Sequence, residues 1–397
     1  MEGAPPAKKM KTERQFDFSK CARRKVALMF AYLGWDYDGL VVQADSDNTI
    51  EEYIFHALEK TKLIESREAC GWTRCGRTDK GVSAFRQVAS LIVRSNLKEG
   101  PGVFWPEGTN AANWKETTQE IDFCQALNGV LPKEVRVLAW SVVPEDFSAR
   151  FNCTQRVYKY FFARGQLNVD AMIAGSRLLI GEHDFRNFCR IDKNKARLET
   201  SYVRTIVNVT LEPSKWSCDT ASGSSAYDML ELTVVGSSFL WHQIRCIVAV
   251  LLAIGSGRES PEVISQLLDI NTHPRRPQYG MASETPLCLF DCSYDGVNLE
   301  WTWQPRALNA TIVHLQKIWV DLQTKANMVR RMLGDLEELP GASGDSNGMT
   351  DYLYCGPPAK NYIPLLQRPT CDGLEDKREK RNAKQNGAPQ TLLTESL

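Results

Sequence analysis

Two successive stretches of the chain carry the same order of predicted elements, strand-helix-strand-strand-helix-strand. That repetition constrains the fold more than any other feature. In the first stretch, residues 24–32 alternate as a half-buried strand does. Thr49 and Glu52 form a capping-box pattern before a helical face of Ile50, Ile54, Ala57 and Leu58. Two strands then flank a polar loop from Cys75 to Gln87, and residues 100–115 read as an inserted surface loop. Thr117 and Glu120 are expected to cap a second helix, with Ile121, Cys124 and Leu127 on its face and Gly129 at its end. Residues 135–143 supply the closing strand.

The second stretch repeats this order without repeating the sequence. Strands are predicted over 156–162, 204–211, 227–235 and 287–292, and helices over 168–181 and 239–254. A Ser/Gly-rich loop, 221–225, joins two of the strands. Ser260-Pro261 signals a short extra helix with Ser as its N-cap. This pattern predicts an α+β fold of two ferredoxin-like, RRM-like halves. Each half would be an antiparallel sheet with helices on one face, and the other faces would flank a central cleft. The expected divisions are a flexible basic arm over 1–20, halves over 21–150 and 151–300, a helical extension over 301–375 and a disordered tail over 376–397. Within the extension, residues 308–339 read as a helix or helical pair, and 362–374 as a docking segment.

The loop Cys75-Gly-Arg-Thr-Asp-Lys-Gly-Val-Ser-Ala-Phe-Arg-Gln87 carries the first chemistry. Gly76 and Gly81 bracket its tip and allow a tight turn. Asp79 lies between Arg77 and Lys80, and a carboxylate among cations stays ionised. Such a group suits a nucleophile or an electrostatic partner. A solvated charged turn would look the same.

A second signal is the strand Arg156-Val-Tyr-Lys-Tyr-Phe-Phe162, where alternation puts Arg156, Tyr158, Tyr160 and Phe162 on one face. Aromatics mixed with cations on a sheet can stack a base and hold phosphates. They can equally form a core face whose phenols reach solvent. A third is Arg245, inside the otherwise apolar Phe239-Leu-Trp-His-Gln-Ile-Arg-Cys-Ile-Val-Ala-Val250. A buried guanidinium needs an anion, and Asp79 in the other half is a candidate. The alternative is that Arg245 snorkels to the surface. His242 is expected to be structural.

Composition narrows the function. The 397 residues carry a formal net charge of zero, so any polyanion binding must come from local basic stretches. The 12 cysteines lack the Cys-x2-Cys and His-x3–5-His spacings of zinc sites, so no metal is expected. They are expected to be reduced and mostly buried. Cys288 and Cys292 would share one strand face as packing. No glycine-rich nucleotide loop appears, so no cofactor is expected. The most apolar run, 239–254, is short for a membrane span and contains His242, Gln243 and Arg245, so no membrane partner is expected. The polar first ten residues do not read as a secretory signal, which points to nucleus or cytoplasm. Lys8, Lys9 and Lys11 lie there.

These pieces resemble, in order and spacing, the motifs of TruA-type tRNA pseudouridine synthases. The residues concerned are Gly76-Arg-Thr-Asp-Lys-Gly-Val82, Arg156-Val-Tyr158, Gly181-Glu-His-Asp-Phe-Arg-Asn-Phe188 and Phe239-Leu-Trp-His-Gln-Ile-Arg245. Arg276-Pro-Gln-Tyr279, Pro286-Leu-Cys-Leu-Phe-Asp-Cys292, Arg368-Pro369 and Gly373-Leu-Glu375 further resemble the eukaryotic branch that modifies positions 38 and 39 of the tRNA anticodon stem-loop. The resemblance implies a cofactor-free isomerase with Asp79 catalytic, Arg245 paired with it and Tyr158 stacked on the target base. Arg77 would occupy the place of the flipped nucleotide, and Arg156, Lys80 and Gln43 would contact the substrate. Gly39-Leu-Val-Val-Gln43 departs from the family pattern but keeps Gln43, and Ala249 stands where many relatives have glycine. A cleft lined by Arg74, Arg77, Lys80, Arg86, Arg150, Arg156, Lys159 and Arg164 would track phosphates. Family members are often dimers, so a homodimer is an expected partner alongside tRNA.

Overall fold

A computed structural model describes residues 16–109, 117–191, 201–215, 225–342, 348–353 and 361–373, with 376, 377, 379 and 382 beyond them. Residues 1–15 of the basic arm, all of 110–115, most of the Ser/Gly-rich loop and most of the tail lie outside the described residues.

The first half comprises β1 (Ala22–Tyr32), α1 (Ile50–Lys60), β2 (Thr73–Arg74), β3 (Ser83–Ser95), β4 (Val103–Phe104), α2 (Phe123–Asn128) and β5 (Val135–Val142). The second comprises β6 (Gln155–Ala163), α3 (Val169–Arg177), β7 (Gly181–Asp184), β8 (Val203–Pro213), β9 (Met229–Gly236), α4 (Gln243–Gly255), α5 (Val263–Leu268) and β10 (Leu287–Ser293). A short β11 (Thr302–Trp303) and the helix α6 (Pro305–Glu337) follow. The predicted halves do not keep separate sheets. All eleven strands form one mixed sheet with the path β11-β5-β1-β3-β10-β6-β9-β8-β7, β2 lying on β3 and β4 on β1. Neighbours are antiparallel except β3 and β10, which run parallel through Ser83↔Cys288 and Ala84↔Leu289. Those two residues of β3 lie four and five positions after Asp79, so the loop sits at the seam between the halves.

Two apolar cores lie under this sheet. One gathers Leu28, Phe30, Ile54, Leu58, Phe123 and Leu127, and the other Phe162, Met172, Val234, Ile247 and Leu251. Tyr158 packs against both. Every residue of α4 is buried. Each buried Leu, Ile or Val there contributes about 1.5–3 kcal/mol, which holds a buried Arg245 in place.

Several boundaries differ from expectation. Thr49 does cap α1, accepting from the Glu52 backbone N–H at 3.4 Å. Thr117 and Glu120, however, cap nothing. Glu120 is spent on Arg24 at 3.1 Å, Ser95 at 2.7 Å and the Asn96 N–H at 2.9 Å. The cap of α2 is Asp122, which accepts from the Gln125 N–H at 2.6 Å. The helix predicted over 168–181 is capped by Asn168 but ends at Arg177, and Gly181 enters β7. Near Ser260, α5 begins only at Val263, with Glu262 as N-cap. The 239–254 run becomes helical only at Gln243, because His242 turns the chain at φ 63°, in the left-handed region. Residues 305–337 form one helix rather than a pair. The described part of the 362–374 segment, 362–373, docks as expected: Leu365 is buried, Tyr362 donates to Glu259 at 2.6 Å, and the Cys371 N–H reaches the Arg276 carbonyl at 2.8 Å.

Candidate active site

The Asp79 loop is tied down on every side. Cys75 N–H bonds the Val88 carbonyl at 2.8 Å. The Gln87 amide clamps Gly76 twice, accepting from its N–H at 3.3 Å and donating to its carbonyl at 3.0 Å. The Tyr32 hydroxyl, fully buried, meets the Thr78 hydroxyl at 2.7 Å. Gly81 N–H reaches the Tyr37 carbonyl at 3.1 Å. Two glycines make the turn possible. Gly81 has φ +78°, and a Cβ there would lie 2.7 Å from Glu284 Cγ. Gly39 has φ +102°, and its Cβ would lie 3.0 Å from the Thr78 carbonyl oxygen. No other residue suits both the backbone angle and the approach.

On this support Asp79 is about one-third exposed, at 35%. The second half meets it with two consecutive side chains. Trp241 donates its indole N–H to Oδ1 at 3.2 Å, and His242 Nε2 lies 3.3 Å from Oδ2. The two rings stack on each other at 4.2 Å. Sequence reasoning gave neither a place beside Asp79, and His242 was expected to be structural. Their adjacency to Arg245 was a weak signal, but the left-handed turn that aims both rings has no sequence signature.

Arg245 sits in the first turn of α4 and is 8% exposed, so it does not snorkel. It donates to the Ala282 carbonyl at 2.7 Å and to Glu284 at 2.6 Å. Glu284 packs on Gly81, two residues from Asp79, so the loop and the arginine meet the same carboxylate side chain. Tyr158 is half-buried on β6, with its ring edge-on to Phe239 at 5.1 Å. Burial pushes its phenol far above the usual range, and the neighbouring Cys292 and Cys75 thiols add to the shift.

The remaining site residues divide. Arg77 is exposed at the loop tip. Lys80 pairs with Asp38 at 2.7 Å, and Gln43 donates to the Asp38 carbonyl at 2.7 Å, so both stand on one wall beside the loop. Arg156 is buried and donates to the Ser237, Cys75 and Arg150 carbonyls, which makes it a clamp between the halves and not a free phosphate ligand. Other cations expected to track phosphates also have internal partners: Arg74 pairs with Glu51, Arg86 with Asp291 and Lys159 with Glu231. A different basic set, Arg190, Arg276, Arg368 and Lys377, lines a cavity of about 790 Å³. Trp241 and Tyr279 share its wall, so the cavity opens beside the Asp79 contact, and the docked C-terminal segment closes its far side.

Comparison with known proteins identifies the family. Residues 176–295 match the family model described as tRNA pseudouridine synthase. The chain is 46% identical to a Caenorhabditis elegans protein named "Probable tRNA pseudouridine synthase", over 96% of this chain and 95% of that one. It is 40% identical to the human "tRNA pseudouridine(38/39) synthase" over 92% of this chain and 78% of that one. The Saccharomyces cerevisiae protein of the same name is 41% identical over 75% of this chain and 63% of its own length. The chain belongs to the tRNA pseudouridine synthase family, whose members are isomerases.

Proposed function

We propose that this protein converts uridine to pseudouridine at positions 38 and 39 of the tRNA anticodon stem-loop, with Asp79 as the catalytic carboxylate. The observation that carries the reading is one accessible carboxylate, held by a clamped loop and met by Trp241 and His242 from the other half. A stacked uridine must first be extruded before an enzyme can work on its sugar. Arg77, at the exposed loop tip, fills the place the base leaves. Tyr158 stacks on the extruded base, and Arg245 orients Asp79. Lys80 and Gln43 line the entry.

The N1–C1′ bond then breaks, and uracil carries away the electron pair, which its carbonyls delocalise. Positive charge on the sugar is met by Asp79. Asp79 either attacks C1′ or removes the 2′ proton to leave a glycal. Uracil turns and C5 bonds to C1′ as the Asp79 ester is released or the 2′ proton is returned, and the C5 proton leaves as N1 gains one. The site must exclude water while the sugar is activated. The test is wild type against Asp79→Asn on an anticodon stem-loop transcript. Wild type should yield pseudouridine, and the variant should bind RNA without product. A wild type that binds tRNA but makes no pseudouridine would instead favour a non-catalytic RNA-binding role. A primary isotope effect from 2′-deuterated uridine would select the glycal route.

Two structural readings accompany this one. The spatial orders β5-β1-β3-β2 and β10-β6-β9-β8 suit two ferredoxin-like units that share a sheet. A homodimer suits α6, which exposes Ile312, Leu315, Trp319, Leu322, Met332 and Leu336 along its length. A helix face can pair with its own copy about a two-fold axis. Light scattering of wild type and Trp319→Glu would test it; a monomeric wild type would remove the idea.

A further inference from the structure

Behind the Asp79 loop, Cys75, Cys153 and Cys292 converge from three separate segments. Cys75 begins the loop, Cys153 ends the link between halves, and Cys292 lies on β10. All three are buried and free of disulfides, and their sulfurs lie within 4.8 Å of one another. Among the described residues, no other group of three or more His, Cys, Asp or Glu side chains meets that geometry.

We propose that these three cysteines form a three-thiolate site for a thiophilic d10 cation, with zinc(II) as the favoured ion. A metal–sulfur bond of about 2.3 Å puts sulfurs in one ligand shell roughly 4 Å apart, so the site closes by less than about 1 Å. Soft thiolates select zinc(II) or copper(I) over harder ions. Charge favours zinc. The buried Arg156 guanidinium donates to the Cys75 carbonyl at 3.2 Å and lies near all three sulfurs. Three thiolates, one divalent cation and one guanidinium sum to zero, as a buried cluster requires. Metal entry expels the thiol protons, so uptake weakens as pH falls.

The consequence is mechanical. An ion held by these sulfurs would fasten the start of the catalytic loop, four residues before Asp79, to β10 and to the inter-half link. No cation touches substrate in this arrangement, and the cysteines act as positioning residues.

The test uses the full chain, purified under reducing conditions. Separate samples are loaded with Zn(II), with Co(II) as a spectroscopic stand-in, or with Cu(I), then desalted. Expected results are about one equivalent of zinc per chain, a thiolate-to-cobalt charge-transfer band that zinc abolishes, and a raised melting temperature. The triple variant Cys75→Ser/Cys153→Ser/Cys292→Ser should bind at least tenfold more weakly, and Cys371→Ser should bind as wild type does. Retention of copper(I) but not zinc keeps the three-thiolate site and overturns the preference for zinc. Equal retention by wild type and triple variant, or none by wild type, overturns the site. If the triple variant does not fold, X-ray absorption of the wild-type zinc complex decides. Three sulfurs in the first shell support the proposal, and a nitrogen–oxygen shell overturns it.

Discussion

The Asp79 loop and the Phe239–Arg245 stretch face each other across one site, yet they are built by opposite means. The loop is shaped locally. Glycines at 39 and 81 take positive φ, and Gln87, Tyr32 and the β3 backbone hold it from within its own half. The facing stretch is shaped from a distance. His242 accepts a left-handed angle that costs a non-glycine residue about 1 kcal/mol or more, and it does so because fully buried α4 fixes the chain after it. A clamped loop offers its carboxylate ready placed. A strained turn places Trp241 and His242 only while the second core is intact. One half supplies the reactive group and the other supplies its surroundings.

Four changes test that division. The largest effect is expected from Asp79→Asn, which should lower kcat by about 10⁴-fold or more with RNA affinity kept. Single-turnover kinetics and a binding titration check it, and comparable turnover would remove the front loop from the chemistry. Next comes Arg245→Met, expected to lower kcat by roughly 10²-fold through loss of orientation, with a smaller change in KM. It also removes the bond to Glu284, so thermal melting should show a moderate loss of stability. A loss of stability without a change in kcat would make Arg245 purely structural.

His242→Gly sharpens the contrast further. Glycine relieves the backbone angle, so stability should hold or rise by up to about 1 kcal/mol, while kcat falls around tenfold. A strongly destabilised variant would mean that the imidazole is a packing element, as its sequence context suggested. The smallest effect belongs to Tyr32→Phe, which strips the hydroxyl contact to Thr78 and should cost about 1 kcal/mol in denaturant unfolding. Because Gln87 and the backbone still hold the loop, kcat should move less than threefold. A larger fall would show that the loop owes its placement to that one bond.

Much of the molecule was legible in the amino-acid order alone. The period of the apolar residues located the main strands and helices in each half. The Gly-Arg-Thr-Asp-Lys-Gly run marked the loop. An arginine inside an apolar helix announced a buried charge needing a partner. These signals are local, since each depends on neighbours within a few residues. Tertiary structure alone decided the rest. It joined the sheets through the parallel β3–β10 pair, a contact between residues about 200 positions apart. It turned Arg156 inward onto carbonyls, and moved the basic lining to Arg190, Arg276, Arg368 and Lys377. It also drew together three cysteines whose spacing fits no metal motif. Contacts of this kind depend on where separate segments pack, and local periodicity holds no record of that.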